Sequence, residues 1–269
     1  MSPAPRPTVS DAARAVLLTA DPHAKAAESQ AQASAWRAGK IDWHFTGTLP
    51  DRPARPGRPE LLAPGRMPRR GRAGSERSRI ALMHALAHIE MNAIDLAWDA
   101  AARFGGDMPR TFTTDWISVG DDEARHFLLL ADRLAAMGAA YGDLPAHDGL
   151  WQAAEETADD LLARLAIVPQ VLEARGLDVS PATVDRLEKA GDADSAAIVD
   201  IIYHDEIGHV RIGNHWFRHV CALTGKPPAE TFRNLVETRF RGRLKPPFND
   251  SARESAGLTR DFYASLESH

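Results

Sequence analysis

The stretch Asp205-Glu206-Ile207-Gly208-His209 decides the fold, because its Glu-x-x-His pattern also occurs earlier, as Asp122-Glu123-Ala124-Arg125-His126. Residues three apart on a helix lie on one face, a single turn apart, so Glu206 and His209 can bind one metal ion together. Carboxylate and imidazole groups are ligands that iron and manganese accept in proteins. The repeated pattern therefore predicts a metal centre whose ligands come from two helices.

Two further glutamates complete the pattern. In bundles that hold two metal ions, two helices each supply Glu-x-x-His and two others each supply a single Glu. The chain offers Glu90, which lies 33 residues before Glu123, and Glu173, which lies 33 residues before Glu206. One Glu-x-x-His alone is weak evidence. Two sets at equal spacing favour a two-metal site in an all-α four-helix bundle, with ligands Glu90, Glu123, His126, Glu173, Glu206 and His209.

The alternative is that the acids of both motifs lie on the surface, with the two histidines merely packed nearby. Apolar residues around the motifs argue against it: Phe127, Leu128, Leu129 and Leu130 at the first, and Ile201, Ile202, Ile207 and Val210 at the second. Charges within such apolar runs are costly unless they are paired or bound to metal. The metal-site interpretation is therefore the stronger one.

Composition limits the remaining possibilities. The 269 residues are 44% hydrophobic and 26% charged, with a net charge of −5, so we expect a soluble protein with a sizeable core. The sequence has neither an apolar run long enough to cross a bilayer nor the apolar core of a secretory signal. Cys221 has no second cysteine to pair with, which favours a cytoplasmic location. The overall acidity argues against a protein that coats nucleic acid.

Helix signals along the chain predict four core helices. Their expected ranges are 75–104, 115–137, 150–173 and 193–223, with a long central crossover at 138–149 and shorter helices at 10–18, 21–38, 180–190 and 229–239. Pro169 is expected to bend the third core helix, and Gly176 is expected to end it. We expect one structural domain with three parts: N-terminal helices and an arm in 1–74, the bundle in 75–225, and a C-terminal extension in 226–269.

Residues 50–74 form the arm, whose repeated prolines forbid regular helix. It carries seven arginines: Arg52, Arg55, Arg58, Arg66, Arg69, Arg70 and Arg72. The favoured interpretation is an extended segment packed on the bundle. The alternative is an anion-binding arm near the mouth of an active site. We further predict that the arm and residues 244–253 border one cavity that leads to the metals.

Several stretches together resemble a known family. They are His88-Ile89-Glu90, the two Asp-Glu-x-x-His motifs, Tyr141-Gly142-Asp143, Leu172-Glu173-Ala174-Arg175-Gly176-Leu177-Asp178, and the segment from Lys245 to Asn249 with Arg253. Across nearly the whole chain they resemble the ferritin-like superfamily and, within it, the family called domain of unknown function 455. The resemblance implies a ferritin-like four-helix bundle with a two-metal carboxylate centre, but no substrate. A more distant likeness to the bacterial di-iron tRNA hydroxylase rests on the bundle and its motifs only.

The resemblance also implies a role for the Asp before each motif Glu. In the wider superfamily this Asp often accepts a hydrogen bond from the ligand His of the opposite helix, and the matching residues here are Asp122 and Asp205. A carboxylate behind a ligand imidazole fixes the tautomer and raises the basicity of the ring.

The leading functional hypothesis is an oxidoreductase that activates dioxygen at two iron ions, with manganese or a mixed-metal centre as the alternative. Its substrate would be small and anionic or nucleotide-like, with Lys245, Asn249 and Arg253 as candidate binding residues, and it would need an electron donor. The competing hypotheses are a ferroxidase that handles iron and a non-catalytic metal-binding bundle. We expect a monomer or small homo-oligomer without membrane association, and RNA is the less favoured partner.

Overall fold

The computed structural model describes residues 6–68 and 74–268, and the regular elements in those ranges are helices. Two isolated bridges, Thr8 to Asp42 and Leu61 to Ala146, are the β-type pairings found there. The all-α prediction is therefore confirmed. The chain divides into two units, Met1–Trp151 and Gln152–His269. None of the helices in the described ranges is both long and apolar enough to cross a membrane.

The first unit contains four main helices: α1 (Val9–Leu17), α2 (Pro22–Arg37), α3 (Glu76–Phe104) and α4 (Arg110–Ala136). Three of these helices begin at a residue whose side chain caps the helix N-terminus. Thr8 and Ser75 form capping boxes at α1 and α3, and Asp21 caps α2 ahead of Pro22. The predicted range of α3 is confirmed, whereas α4 begins five residues earlier than its predicted start at 115.

Helices α3 and α4 form an antiparallel hairpin. Glu90 contacts His126, while Ala97, further along α3, lies beside Gly120, which is earlier on α4. A Cβ added at Gly120 would lie 2.8 Å from the indole nitrogen of Trp98, so glycine permits this close approach. Ser29 of α2 joins the contact, because its hydroxyl accepts from the Trp98 indole and donates to the Gly120 carbonyl.

The arm packs on α3 and on the crossover that follows α4. Arg55 donates to Asp95 and, at 2.7 Å, to Asn92 Oδ1, both on α3. Arg52 pairs with Asp148, and the Ala146 amide donates to the Glu60 carbonyl at 2.9 Å. These contacts agree with the favoured interpretation of an arm packed on the helices. Three of its arginines, Arg69, Arg70 and Arg72, lie outside the described residues.

The crossover is anchored by His84 of α3. The His84 Nε2 accepts from the amides of Gly142 at 2.9 Å and Leu144 at 3.4 Å, and its ring stacks on Tyr141. Burial lowers the pKa of His84, and the nearby Asp143 charge opposes that effect only partly. The neutral ring is therefore the form that suits this site.

Replacing His84 with alanine is expected to cost about 1–3 kcal/mol of stability at pH 7, because the buried Gly142 amide and the part-buried Leu144 amide lose their acceptor. As the pH falls below the ordinary histidine range, the unfolded chain takes up a proton that folded His84 resists, so wild-type stability should decrease. His84→Ala should make that decrease shallower. Urea unfolding at pH 7 and pH 5 tests both points, with exposed His204→Ala as the control that keeps the wild-type slope.

The second unit is built around α8 (Ala193–Leu223), whose predicted range is confirmed. Helix α5 (Gly149–Glu156) leads into it. Next come α6 (Leu161–Ile167), a π-helical turn (Val168–Glu173) and α7 (Ala174–Lys189), and after α8 come α9 (Pro228–Arg239), α10 (Asp250–Ser255) and α11 (Arg260–Tyr263). Helix α7 runs antiparallel to α8, and Asn249 bonds to both, through Leu177 and Tyr203.

The predicted third core helix was wrong in its boundaries. The chain leaves helix after Glu156, and Asp160 then caps a new start by accepting from the Ala163 amide. Gly176 does not end the helix, because α7 continues through Gly176 and Pro181 to Lys189. A helical Gly costs only about 1 kcal/mol, which the packing of α7 on α8 can outweigh.

Pro181 is tolerated inside α7 because another residue supplies the hydrogen bond that it cannot make. Proline has no N–H, so it cannot donate to the carbonyl four residues earlier, which belongs to Leu177. Asn249 Nδ2 donates to that carbonyl instead, at 3.1 Å. A side chain 72 residues away in sequence thus stabilises the helix at this position.

Candidate metal centre

The α3–α4 hairpin brings three predicted ligands of the first unit together. His126 Nδ1 lies 3.2 Å from Glu90 Oε2 and 3.4 Å from Glu123 Oε2. One ligand atom from each of the three side chains lies within 4.8 Å of the others. All three residues are buried, so the sequence-based prediction of a buried carboxylate and imidazole group is correct for this hairpin.

Burial dominates the electrostatics of this group. It raises the pKa of Glu90 well above the ordinary range, and the neighbouring Glu123 charge raises it further. Burial alone would lower the pKa of His126, but hydrogen bonds to Glu123 and Glu90 outweigh it and raise that pKa to about 11. For both buried carboxylates to be ionised, positive charge must therefore lie beside them, and the His126 ring is a group that faces both.

In the second unit, Glu206 and His209 lie one turn apart on α8, and both are buried. His209 Nδ1 is 3.7 Å from Glu206 Oε2. Glu173 is half-buried at the end of the π-helical turn. Among the described residues, the buried side chains of the kind that could hold a metal ion are Glu90, Glu123 and His126 in the first unit and Glu206 in the second. That group does not include Glu173 and His209, whose role as ligands stays a prediction.

The two aspartates expected behind the ligand histidines are partly exposed. Asp122 lies 3.4 Å from Arg125 on its own helix, and its side chain is 41% exposed. Asp205 is half-buried on α8. A hydrogen bond from either aspartate to a ligand histidine of the opposite helix stays a prediction.

Sequence reasoning missed two buried aspartates that follow the predicted ligands. Asp95 lies five residues after Glu90, and Asp178 lies five residues after Glu173. The side chains of both aspartates are fully buried. The signal was available, because the offset of 83 residues that relates Glu90 to Glu173 also relates Asp95 to Asp178.

Each of these aspartates binds a cation from outside its helical hairpin. Asp95 Oδ1 is 2.5 Å from Lys25 Nζ, and Asp95 also binds Arg55 of the arm. Asp178 accepts two bonds from Arg253 of the C-terminal extension, at 2.8 Å and 2.7 Å. Each unit therefore uses a buried ion pair to attach another segment to a helix that carries a predicted ligand, as α3 does, or directly follows one, as α7 does.

The predicted substrate-binding residues have structural contacts. Arg253 is only 1% exposed, and its guanidinium lies 4.7 Å from the ring centroids of both Phe248 and Tyr263. Asn249 caps α10. Lys245 is exposed, and its carbonyl accepts from a neighbouring arginine, Arg175. Substrate binding by Lys245, Asn249 and Arg253 stays a prediction, and these contacts do not support it.

A cleft of about 820 Å³ opens in the first unit at the start of α3. Met67 and Pro68 of the arm line it together with His84 and Leu144. Its walls contain none of the predicted metal ligands and no residue of 244–253. The predicted cavity bordered by both added segments therefore stays a prediction.

Comparison with known proteins places the chain in a family. The family model described as "Protein of unknown function (DUF455)" matches residues 18–264. The chain belongs to the DUF455 family. A protein of Haemophilus influenzae described as uncharacterized is 41% identical over 211 residues, which is 76% of this chain and 73% of the relative. No solved structure matches the chain. The DUF455 match covers the predicted ligands of both units and confirms the family that the motifs resemble.

Proposed function

We propose that this DUF455 protein is a two-metal oxidoreductase of the ferritin-like type. In this proposal the two hairpins form one four-helix bundle, and a centre is held by Glu90, Glu123 and His126 together with Glu173, Glu206 and His209. The observation that carries it is the buried group of two carboxylates and one imidazole on α3 and α4. The repetition of Glu-x-x-His on α8 supports a second, matching half.

The residues present fit a pair of divalent ions. The raised pKa of Glu90 has its cause in burial and in the Glu123 charge, and a cation beside both carboxylates would remove that cost. The oxygen and nitrogen donors are those of iron and manganese sites. Four carboxylates would neutralise two divalent ions, and two imidazoles would complete the set without adding charge.

Two iron ions bound in this way would supply redox chemistry with dioxygen. The surrounding side chains would hold the ligands and exclude water. Phe127 follows His126 and Val210 follows His209, and both apolar side chains are fully buried. We propose a small substrate and a separate electron donor, with the protein acting in the cytoplasm as a monomer or small homo-oligomer.

Metal analysis tests the centre directly. Protein from iron-replete cells is expected to contain about two iron or manganese ions per chain, because the six donors divide into two equal sets. The double variant His126→Ala/His209→Ala should lose most of this metal. The control His204→Ala removes an exposed histidine of α8 and should keep it. An unchanged metal content in the double variant would contradict the proposal.

A second measurement separates the competing functions. The protein is loaded without oxygen with two Fe(II) per chain, exposed to air and then given further Fe(II) in steps, while iron oxidation and bound iron are followed. Oxidation limited to those two ions supports an oxygen-activating enzyme. Continued uptake of many irons per chain supports iron storage, and bound Fe(II) that stays reduced supports a purely structural metal.

A further inference from the structure

The helix that carries Glu173 contains a π-helical turn that its counterpart lacks. Helix α3 is α-helical from Glu76 to Phe104 around Glu90, whereas Val168–Glu173 forms a π-turn between α6 and α7. A π-turn closes hydrogen bonds to the fifth residue and accommodates one additional residue. One α-helical residue corresponds to about 100° of rotation. The direction of Glu173 relative to α6 therefore depends on this turn.

Pro169 and Gln170 together explain why the turn forms. Proline cannot donate to the carbonyl four residues earlier, so an α-helix would leave the buried Leu165 carbonyl without its usual donor. The Gln170 side chain supplies that donor, since its Nε2 lies 3.0 Å from the Leu165 carbonyl oxygen. Gln170 is fully buried, so this bond forms out of contact with water.

The same two residues contact two adjacent residues of α8. Gln170 Oε1 accepts from Asn214 Nδ2 at 2.9 Å, and Asn214 Oδ1 in turn accepts from Arg218 Nε at 2.8 Å. A Cβ added at Gly213 would lie 2.4 Å from Pro169 Cβ, so Pro169 packs directly on the α8 backbone. We name this contact of Pro169, Gln170, Gly213 and Asn214 the register lock.

The register lock lies close to the predicted ligands of the second unit. Helices α7 and α8 are antiparallel. Going three residues forward from Gln170 to Glu173 therefore corresponds to going backward along α8 from Asn214 towards His209. Counted from the Gln170–Asn214 and Pro169–Gly213 contacts, Glu173 lies level with residues 209–211 of α8, a stretch that includes His209. The register lock is therefore about one helical turn from Glu173 and from His209.

We propose that the register lock positions Glu173 for the metal centre, with Gln170 and Asn214 as positioning residues that do not themselves bind metal. The inference rests on the proposed two-metal function. A satisfied buried amide pair favours one arrangement of two helices, because any shift would leave polar groups without partners. The lock thus selects both the π-turn and its alignment with α8.

Cobalt(II) binding tests the register lock, with the visible spectrum reporting the ligand set. Gln170→Met keeps the length of the side chain and removes both amide bonds. It is expected to alter the Co(II) spectrum as Glu173→Gln does, and to weaken binding of one of two ions by about tenfold, the scale typical of residues that orient ligands. The swap Gln170→Asn/Asn214→Gln, which restores an amide pair, should recover part of the affinity.

A matched control separates positioning from general loss of stability. Leu187→Ala makes a cavity at the far end of α7, fourteen residues from Glu173, and should destabilise the chain while leaving the wild-type Co(II) spectrum. If Gln170→Met does not fold, Asn214→Ala serves in its place. If Gln170→Met or Asn214→Ala keeps the wild-type Co(II) spectrum and affinity, or if Leu187→Ala changes them equally, the positioning role of the register lock is wrong. The proposed two-metal function would still stand. Wild-type protein that binds no Co(II) overturns the proposed function as well.

Discussion

Replacing Asp95 with alanine is expected to destabilise the protein by about 3–5 kcal/mol, the usual cost of breaking a buried ion pair by removing one partner. Lys25 is fully buried, and Asp95 is the carboxylate that it contacts, while Arg55 binds the same side chain from the arm. Without Asp95, the buried Lys25 and the partly exposed Arg55 lose the carboxylate that they share. Burial already lowers the pKa of Lys25, so the variant should recover part of its stability as the pH rises and Lys25 loses its proton.

Urea unfolding followed by circular dichroism measures the Asp95→Ala effect. Asp121→Ala is the matched control, because it breaks a pair with Arg37 at the surface, where the expected cost is below about 1 kcal/mol. The double variant Asp95→Leu/Lys25→Met should be more stable than Asp95→Ala, since it leaves only the partly exposed Arg55. An Asp95→Ala protein as stable as the control would show that the pair contributes little.

The second large effect is expected from Arg253→Met, which leaves the fully buried Asp178 without its paired hydrogen bonds. The expected loss is about 3 kcal/mol, the lower end of the range, because Arg175 remains 3.5 Å from Asp178. The substitution also removes the guanidinium from between Phe248 and Tyr263. The C-terminal extension should therefore become easier to cleave.

Urea unfolding and limited proteolysis test this second effect together. Arg260→Met is the control, since Arg260 pairs with Asp250 at the surface. Adding Asp178→Leu to Arg253→Met should restore much of the stability, because no buried charge is then left unpaired. A variant with wild-type stability and wild-type protection from protease would return Arg253 to the role of a substrate-binding residue.

The sequence by itself determined the features that depend on near neighbours in the chain. The boundaries of α3 and α8 followed from capping residues and helical periodicity, since those interactions form within one or two turns. The grouping of Glu123 with His126 also followed, because three residues along a helix always bring two side chains to one face. Equal spacing then identified Glu90 as the partner from a second helix, and the structure places it beside His126.

Only the tertiary structure decided the features that depend on distant residues. Pro181 marks a helix start in sequence, yet it lies inside α7 because Asn249 supplies a distant donor. Arg253 looked available for a ligand, yet it is buried against Asp178, 75 residues away. The helix propensities that a local sequence pattern reflects differ by up to about 1 kcal/mol per residue. Leaving one partner of a buried ion pair unpaired, or misfitting the packing between helices, costs several times more, and both depend on which segments meet.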